Sequence, residues 1–379
     1  MTIDLTTKFS GLSSGLRSNI QMINPFIVGS GPPTTNRATI AKAFREGWGG
    51  AVAKTISLDH EKVKNVSPRY GKLYSREHHD VVGFENIELI SDRPLSLWLD
   101  DFRQLKREFP DRVLIASIME EHAEERWREL VQKCEAAGVD GFELNLSCPH
   151  GLPERKMGAA MGQDPQLVHE VTAWVRKATP KPIWAKLTPN VGDITMPALS
   201  ALKAGAEGLS MINTILSVIG VDLTTLRPLP TVGGLSTFGG YSSIAVKPIS
   251  LRMLVQVMRA MQEHGFADRS ISGIGGVTCA RDAIEYLLLG ASTVQACTGP
   301  MLQGFAMIHE LTSGLAKFME QHGFQSIDAF RGHSIQYLTR FSHLLGEEGE
   351  TNHAQPGLAS DDQWSGDKIN SQTGSMSSN

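Results

Sequence analysis

Short apolar runs and amphipathic stretches take turns along this chain. Pro25 to Gly29 reads as the first strand. In the segment ATIAKAFREGW, Ala38 to Trp48, apolar positions recur at helical spacing, with Thr34, Thr35 or Asn36 as capping residue. The second strand is AVAKTIS, Ala51 to Ser57, followed by a polar, irregular connection from Leu58 to Ser96. A connection this long is more often functional than filler. From Leu97 the alternation is regular. Strands are predicted at 113–119, 142–147, 182–187, 209–214, 270–274 and 293–296, and helices at 97–108, 123–138, 165–178, 194–205, up to about 265, 279–290 and 300–322. Only the Gly- and Thr-rich stretch Ser217 to Ser243 breaks the rhythm. The strands are near-continuous apolar runs, as in a parallel sheet covered on both faces. Eight strand-then-helix units predict an α/β fold, a (β/α)8 TIM barrel, over an open doubly wound sheet. The first turn also lacks GxGxxG. Residues 327–345 read as packing helices that complete one domain, 1–345; the polar tail 346–379 reads as disordered.

Composition narrows the classes. A chain of 379 residues suits one large barrel with insertions. A net charge of −4 without a basic block argues against nucleic acid. No apolar run approaches the ~18 residues of a membrane span. The N-terminus lacks the basic-then-apolar order of a signal peptide. Cys134, Cys148, Cys279 and Cys297 form no CxxC pair, so neither zinc nor an iron–sulfur cluster is expected in this chain. Thiols without a signal peptide point to the cytoplasm. A homo-oligomer is expected.

Candidate chemistry lies where strands end, which in such a barrel is the active-site rim. In ELNLSCPHG, Glu143 to Gly151, a two-faced strand runs into a turn and leaves Asn145, Ser147 and Cys148 together. Lys54 interrupts the second strand, Lys186 ends the fifth, Asn213 and Thr214 end the sixth, Gly275 and Gly276 the seventh, Cys297 and Thr298 the eighth. Each has an ordinary reading: a buried thiol, a surface lysine, a plain turn. Their collection on one rim is harder to dismiss. Loops after strands seven and eight commonly bind phosphate. Lys54 and Lys186 would then flank the ligand's head, where cations stabilise a reduced flavin. Phosphate at one end and lysines at the other fit flavin mononucleotide (FMN) better than a sugar phosphate.

ELNLSCPHG, with AKLTPN (Ala185 to Asn190), KTISLD (Lys54 to Asp59), NVSPR (Asn65 to Arg69) and FENIELIS (Phe84 to Ser91), resembles the pyrimidine-binding barrel of the dihydropyrimidine dehydrogenases. That barrel is similar in turn to the cytosolic dihydroorotate dehydrogenases. The likeness runs from about Asn24 to Lys317. It implies an FMN barrel in which Cys148 gives or takes a proton. Asn86, Asn145, Asn213 and Thr214 match positions that bind the pyrimidine. Lys54, Lys186, Ser243, Gly276, Cys297 and Thr298 match FMN contacts, with Ser30 and Gly275 part of the same pocket. The implied reaction interconverts uracil or thymine and the 5,6-dihydro forms. Hydride passes between flavin N5 and C6, and Cys148 handles the proton at C5. The loop Pro149 to Gly162 is expected to close over the ligand.

Two departures stand out. Members of this type use ferredoxin-like clusters, in the same chain or through a partner, yet the tail here has no cysteine. A separate FAD- and iron–sulfur-containing subunit that oxidises NAD(P)H is therefore expected. Lys156, Met157 and Met161 also depart from the family pattern near the active loop. The rivals are a dihydroorotate dehydrogenase, a non-redox aldolase or isomerase barrel with a catalytic lysine, and a flavoprotein that has lost catalysis.

Overall fold

The structure, a computed structural model, describes residues 3–9, 20–148 and 158–344. The chain divides into two compact units, 1–335 and 336–379. The expected tail 346–379 lies outside the described residues, as does 149–157, the first part of the expected closing loop. In the second unit the helix Phe341–Leu344 is described.

Eight parallel strands close on themselves in the first unit: β1 Phe26–Val28, β2 Gly50–Val52, β3 Val113–Ile118, β4 Gly141–Asn145, β5 Ile183–Lys186, β6 Gly208–Met211, β7 Ser270–Ile274 and β8 Thr293–Ala296. Sequential neighbours pair throughout, and β8 pairs with β1 through Val294 and Phe26. The (β/α)8 barrel is therefore present, in the predicted order.

Local chemistry explains the boundaries. The first barrel helix is Arg37–Glu46, capped by Asn36 Oδ1, which accepts from the Thr39 N–H at 3.1 Å. It stops short of Trp48 because Gly47 takes φ 113°, a left-handed C-cap. Helix Pro165–Ala178 starts on Asp164, whose carboxylate accepts from Gln166 N, with proline in the first turn. The predicted 300–322 helix is two, Thr298–Gln303 and Met307–His322. The helices predicted over 327–345 are short turns, among them Ile327–Ala329 and His333–Tyr337.

The core lies between strands and helices. Trp48, Trp98 and Trp127 are fully buried there. Each indole N–H finds an acceptor at 2.9 Å: Phe305 O, Ser91 Oγ and Glu121 O. Burying such a side chain contributes roughly 1.5–3 kcal/mol without an orphaned donor to offset it. The barrel floor is apolar: Ile27, Val52, Ile115 and Trp184 pack with Ile20 and Met22. Ile20 and Met22 come from an antiparallel pair, Thr7–Phe9 with Ile20–Met22, that the strand pattern had not shown.

The two long connections are not irregular. Leu58–Ser96 contains strands Tyr70–Tyr74 and Val81–Asn86, and the 215–243 stretch contributes Ile215–Ser217 and Gly239–Ser242. These four form one antiparallel sheet that carries Asn86 and Tyr241 into the lining of the cavity at the strand ends. Sequence reading missed it because its strands are short and its two halves join only through a long-range pairing, Asn86 with Gly240.

Candidate active site

The thirteen residues assigned to the site from the sequence all line one cavity at the C-terminal ends of the strands. It encloses about 1080 Å³ of space between protein atoms, the solvent at its mouth included. Strand ends supply Ser30, Lys54, Asn145, Cys148, Lys186, Asn213, Thr214, Gly275, Gly276, Cys297 and Thr298. Asn86 arrives from the antiparallel sheet and Ser243 from the residue after its last strand.

The amides are held in a directed chain of hydrogen bonds. Asn213 Nδ2 donates to Ser147 Oγ at 2.8 Å, and Ser147 Oγ donates to Asn145 Oδ1 at 3.3 Å. Asn145 Nδ2 donates to Thr55 Oγ1 at 2.9 Å. Thr55 Oγ1 lies 2.8 Å from Ser117 Oγ and 3.4 Å from Ser30 Oγ. The Thr214 N–H donates to Asn213 Oδ1 at 2.8 Å. Asn86 Nδ2 donates to Gly240 O at 3.3 Å, and its Oδ1 accepts from the Glu88 N–H. Each amide is thereby oriented. Asn86 and Asn213 keep a second oxygen lone pair and a second amide hydrogen for a ligand, whereas Asn145 Oδ1 also accepts from the Ser147 N–H, which leaves Asn145 its second amide hydrogen to offer.

Each of the two lysines is paired. Lys54 Nζ lies 2.9 Å from Glu88 Oε2 and Lys186 Nζ 3.4 Å from Glu143 Oε1. Both carboxylates are buried, and unpaired charge at this depth would be strongly disfavoured. Among the described residues lining the cavity these lysines are the only cations. Glu88 stands in FENIELIS and Glu143 in ELNLSCPHG, yet a glutamate in an alternating strand gives no sign of facing inward until the register is known. Thr55 and Gln295 were missed for the same reason.

Cys148 is buried and packs with Ile90 and Met119. Its carbonyl accepts from the Ala159 N–H at 2.9 Å. Met161 is buried in the core, whereas Lys156 and Met157 lie outside the described residues. Cys297 sits against Gly31, and burial pushes its thiol up to about 11 although Lys186 and Lys54 pull the other way.

The phosphate side is built as expected in part. Gly275 and Gly276 take φ 138° and 67°, and a Cβ at Gly276 would lie 2.9 Å from Ser243 O, so the turn requires glycine. The helix after β7, Ala280–Leu288, does not offer its N-terminus: Asp282 Oδ2 accepts from Thr278 N and Cys279 N, and Glu310 from Ala280 N. Lys247 is occupied as well, by Asp282 at 2.6 Å and Glu285 at 2.8 Å. What remains at the cavity wall is the turn at Gly276, Ser243 and the first turn of Thr298–Gln303. Ser243 has φ 81°, unusual for a side-chain-bearing residue, and its buried hydroxyl has no hydrogen-bond partner among the described residues. Gln295 Oε1 is likewise buried without one. Two orphaned polar atoms lining one cavity fit a polar ligand that satisfies them.

The family model described as dihydroorotate dehydrogenase matches residues 16–319. The chain is 50% identical over 370 residues, 96% of this chain and 87% of the relative, to "Dihydropyrimidine dehydrogenase (NADP(+)), chloroplastic" of Arabidopsis thaliana. It is 40% identical over 332 residues, 88% of this chain and 77% of the relative, to "NAD-dependent dihydropyrimidine dehydrogenase subunit PreA" of Escherichia coli K12. Identity to the "Dihydroorotate dehydrogenase B (NAD(+)), catalytic subunit" of Pyrococcus furiosus is 37% over 309 residues, 82% of this chain and 94% of the relative. With its closed parallel barrel, its strand-end cavity and this match over most of its length, the chain belongs to the dihydroorotate dehydrogenase family.

Proposed function

We propose that this protein is an FMN-dependent oxidoreductase that interconverts uracil or thymine and their 5,6-dihydro forms. The observation that carries the reading is the character of the cavity: three oriented amides, and two lysines already paired with Glu88 and Glu143. A neutral ring with alternating donors and acceptors suits amides, whereas orotate brings a carboxylate that asks for an unpaired cation. The names of the relatives at 50% and 40% identity support the same substrate class.

FMN, when bound, supplies the hydride transfer. Ser243, Gly276, Cys297 and Thr298 would hold its phosphate end, with Ser30, Lys54, Lys186 and Gly275 around the rest. The chain's own residues then do three things. Asn86, Asn145, Asn213 and Thr214 bind the pyrimidine edge, the three amides in orientations set by their protein partners. Cys148 holds or accepts the proton at C5, the work of a positioned acid or base. Ile90 and Met119 keep water from the thiol.

The four cysteines of the sequence are scattered, and among the described residues no three metal-binding side chains gather. A separate subunit carrying FAD and iron–sulfur clusters, and oxidising NAD(P)H, is the proposed electron partner; the word "subunit" in the Escherichia coli relative's name supports it. No described helix is long and apolar enough to cross a membrane. The cytoplasm is the proposed compartment, on the scattered cysteines. The test is release of FMN from the denatured protein and oxidation of dihydrouracil with an artificial acceptor. A protein that takes up no flavin, or that turns over dihydroorotate in preference, overturns the reading.

A further inference from the structure

Glu143 does not line the cavity and is given no contact with substrate or cofactor above, yet it is wholly buried within the barrel, on β4. Its carboxylate is anchored on one side. Ser210 Oγ donates to Oε2 at 2.8 Å and Gln295 Nε2 to the same oxygen at 3.1 Å. The other oxygen, Oε1, accepts no hydrogen bond among the described residues and faces Lys186 Nζ at 3.4 Å. A closed charge-assisted bond would be about 2.7–2.9 Å. Lys186 and Glu143 thus pair by charge without a hydrogen bond between them, and Lys186 is the residue of the pair that reaches the cavity.

We propose that Glu143 sets the reduction potential of the bound flavin through Lys186, as a positioning residue. The proposal rests on the FMN reading. Reduction adds negative charge to the ring, and a nearby cation favours the reduced form. In a buried site the field of one charge is only weakly screened, so an anion behind the cation subtracts from it in proportion to how closely it approaches. At its present distance Glu143 offsets part of the field of Lys186. Ser210 and Gln295 keep that offset from growing by holding Oε2.

Two variants shift this balance in opposite directions. Glu143→Gln keeps the shape and removes the anion, which leaves Lys186 uncompensated and favours reduced flavin. Ser210→Ala keeps the anion and removes one anchor, so the carboxylate closes on Lys186 and favours oxidised flavin. The measurement is the two-electron potential of the FMN-loaded protein against a reference dye, during slow reduction by xanthine and xanthine oxidase. Glu143→Gln should raise the reduced-to-oxidised ratio at least tenfold at fixed potential, a shift of about 30 mV. Ser210→Ala should lower that ratio about threefold. Shifts of the same sign, as general loosening would give, overturn the proposal, as does an unchanged potential in Glu143→Gln. Should Glu143→Gln fail to retain flavin, Ser210→Ala decides alone, and a potential equal to or above the parent's overturns it. An unsubstituted protein that binds no FMN instead refutes the cofactor reading, a different outcome from flavin bound at an unaltered potential.

Discussion

Gly31 and Cys297 meet where the β1 and β8 loops close the cavity. Gly31 has φ 165°, extended backbone that any residue adopts, so alanine brings no conformational strain there. Space is the constraint: a Cβ on Gly31 would lie 2.4 Å from Cys297 Sγ. Ordinary heavy-atom contact is about 3.5–4.0 Å, so the overlap exceeds about 1 Å and one loop must move. Overpacking of this kind costs about 1–3 kcal/mol. Cys297→Ala removes the offending sulfur and should cost about 1 kcal/mol, one buried heavy atom's worth of apolar contact. The double variant should be more stable than the sum of the single losses by about 1–3 kcal/mol, since the methyl group introduced by Gly31→Ala then occupies the space the sulfur left. Equilibrium urea unfolding of the four proteins gives the cycle, and FMN content reports whether the cavity wall has moved. Gly31→Ala within about 0.5 kcal/mol of the parent, the usual scatter of a surface substitution, or losses that simply add in the double variant, would refute the steric argument.

Three further outcomes are expected. Cys148→Ala should slow pyrimidine turnover about 10²-fold or more while FMN content stays normal, as read by steady-state assay and flavin absorbance; full activity would make Cys148 a packed thiol only. Thr55→Val leaves Asn145 Nδ2 without its acceptor, so uracil affinity measured by flavin spectral shift should fall by about 1–3 kcal/mol, and unchanged affinity would show that Asn145 is oriented by Ser147 alone. Glu85 is buried in the antiparallel sheet, accepts from the Ser217 hydroxyl, and has its carboxyl raised above the ordinary range by that burial. A raised folded-state pKa means the folded protein binds the extra proton, so its contribution is complete below the unfolded value of about 4.3 and is lost as pH rises through the folded one. Glu85→Gln should therefore gain stability relative to the parent as pH rises across that window in thermal melts, and a gap constant with pH would contradict this.

The order of apolar runs along the chain was enough to determine the barrel. Each parallel strand is a local apolar segment followed by a helix with its own caps, and right-handed crossovers leave little choice of topology. The rim followed from the same pattern, because a polar residue that interrupts or ends such a run is conspicuous: Lys54, Asn145, Cys148, Lys186 and Asn213 were marked this way and all reach the cavity. Asn86 and Ser243 are legible only through family likeness, since both sit on the antiparallel sheet or at its edge and the two halves of that sheet join across some 150 residues, Gly240 with Asn86. Tertiary structure alone decided what stands behind the marked residues. Pairing of Lys54 with Glu88 and of Lys186 with Glu143, and the chain from Asn213 to Thr55, join residues on or just beyond the ends of different strands. Sequence shows that a strand has two faces, but which glutamate looks inward, and what it meets there, depends on strand register and barrel closure, because charges and hydrogen bonds act over a few ångströms of space and not along the chain.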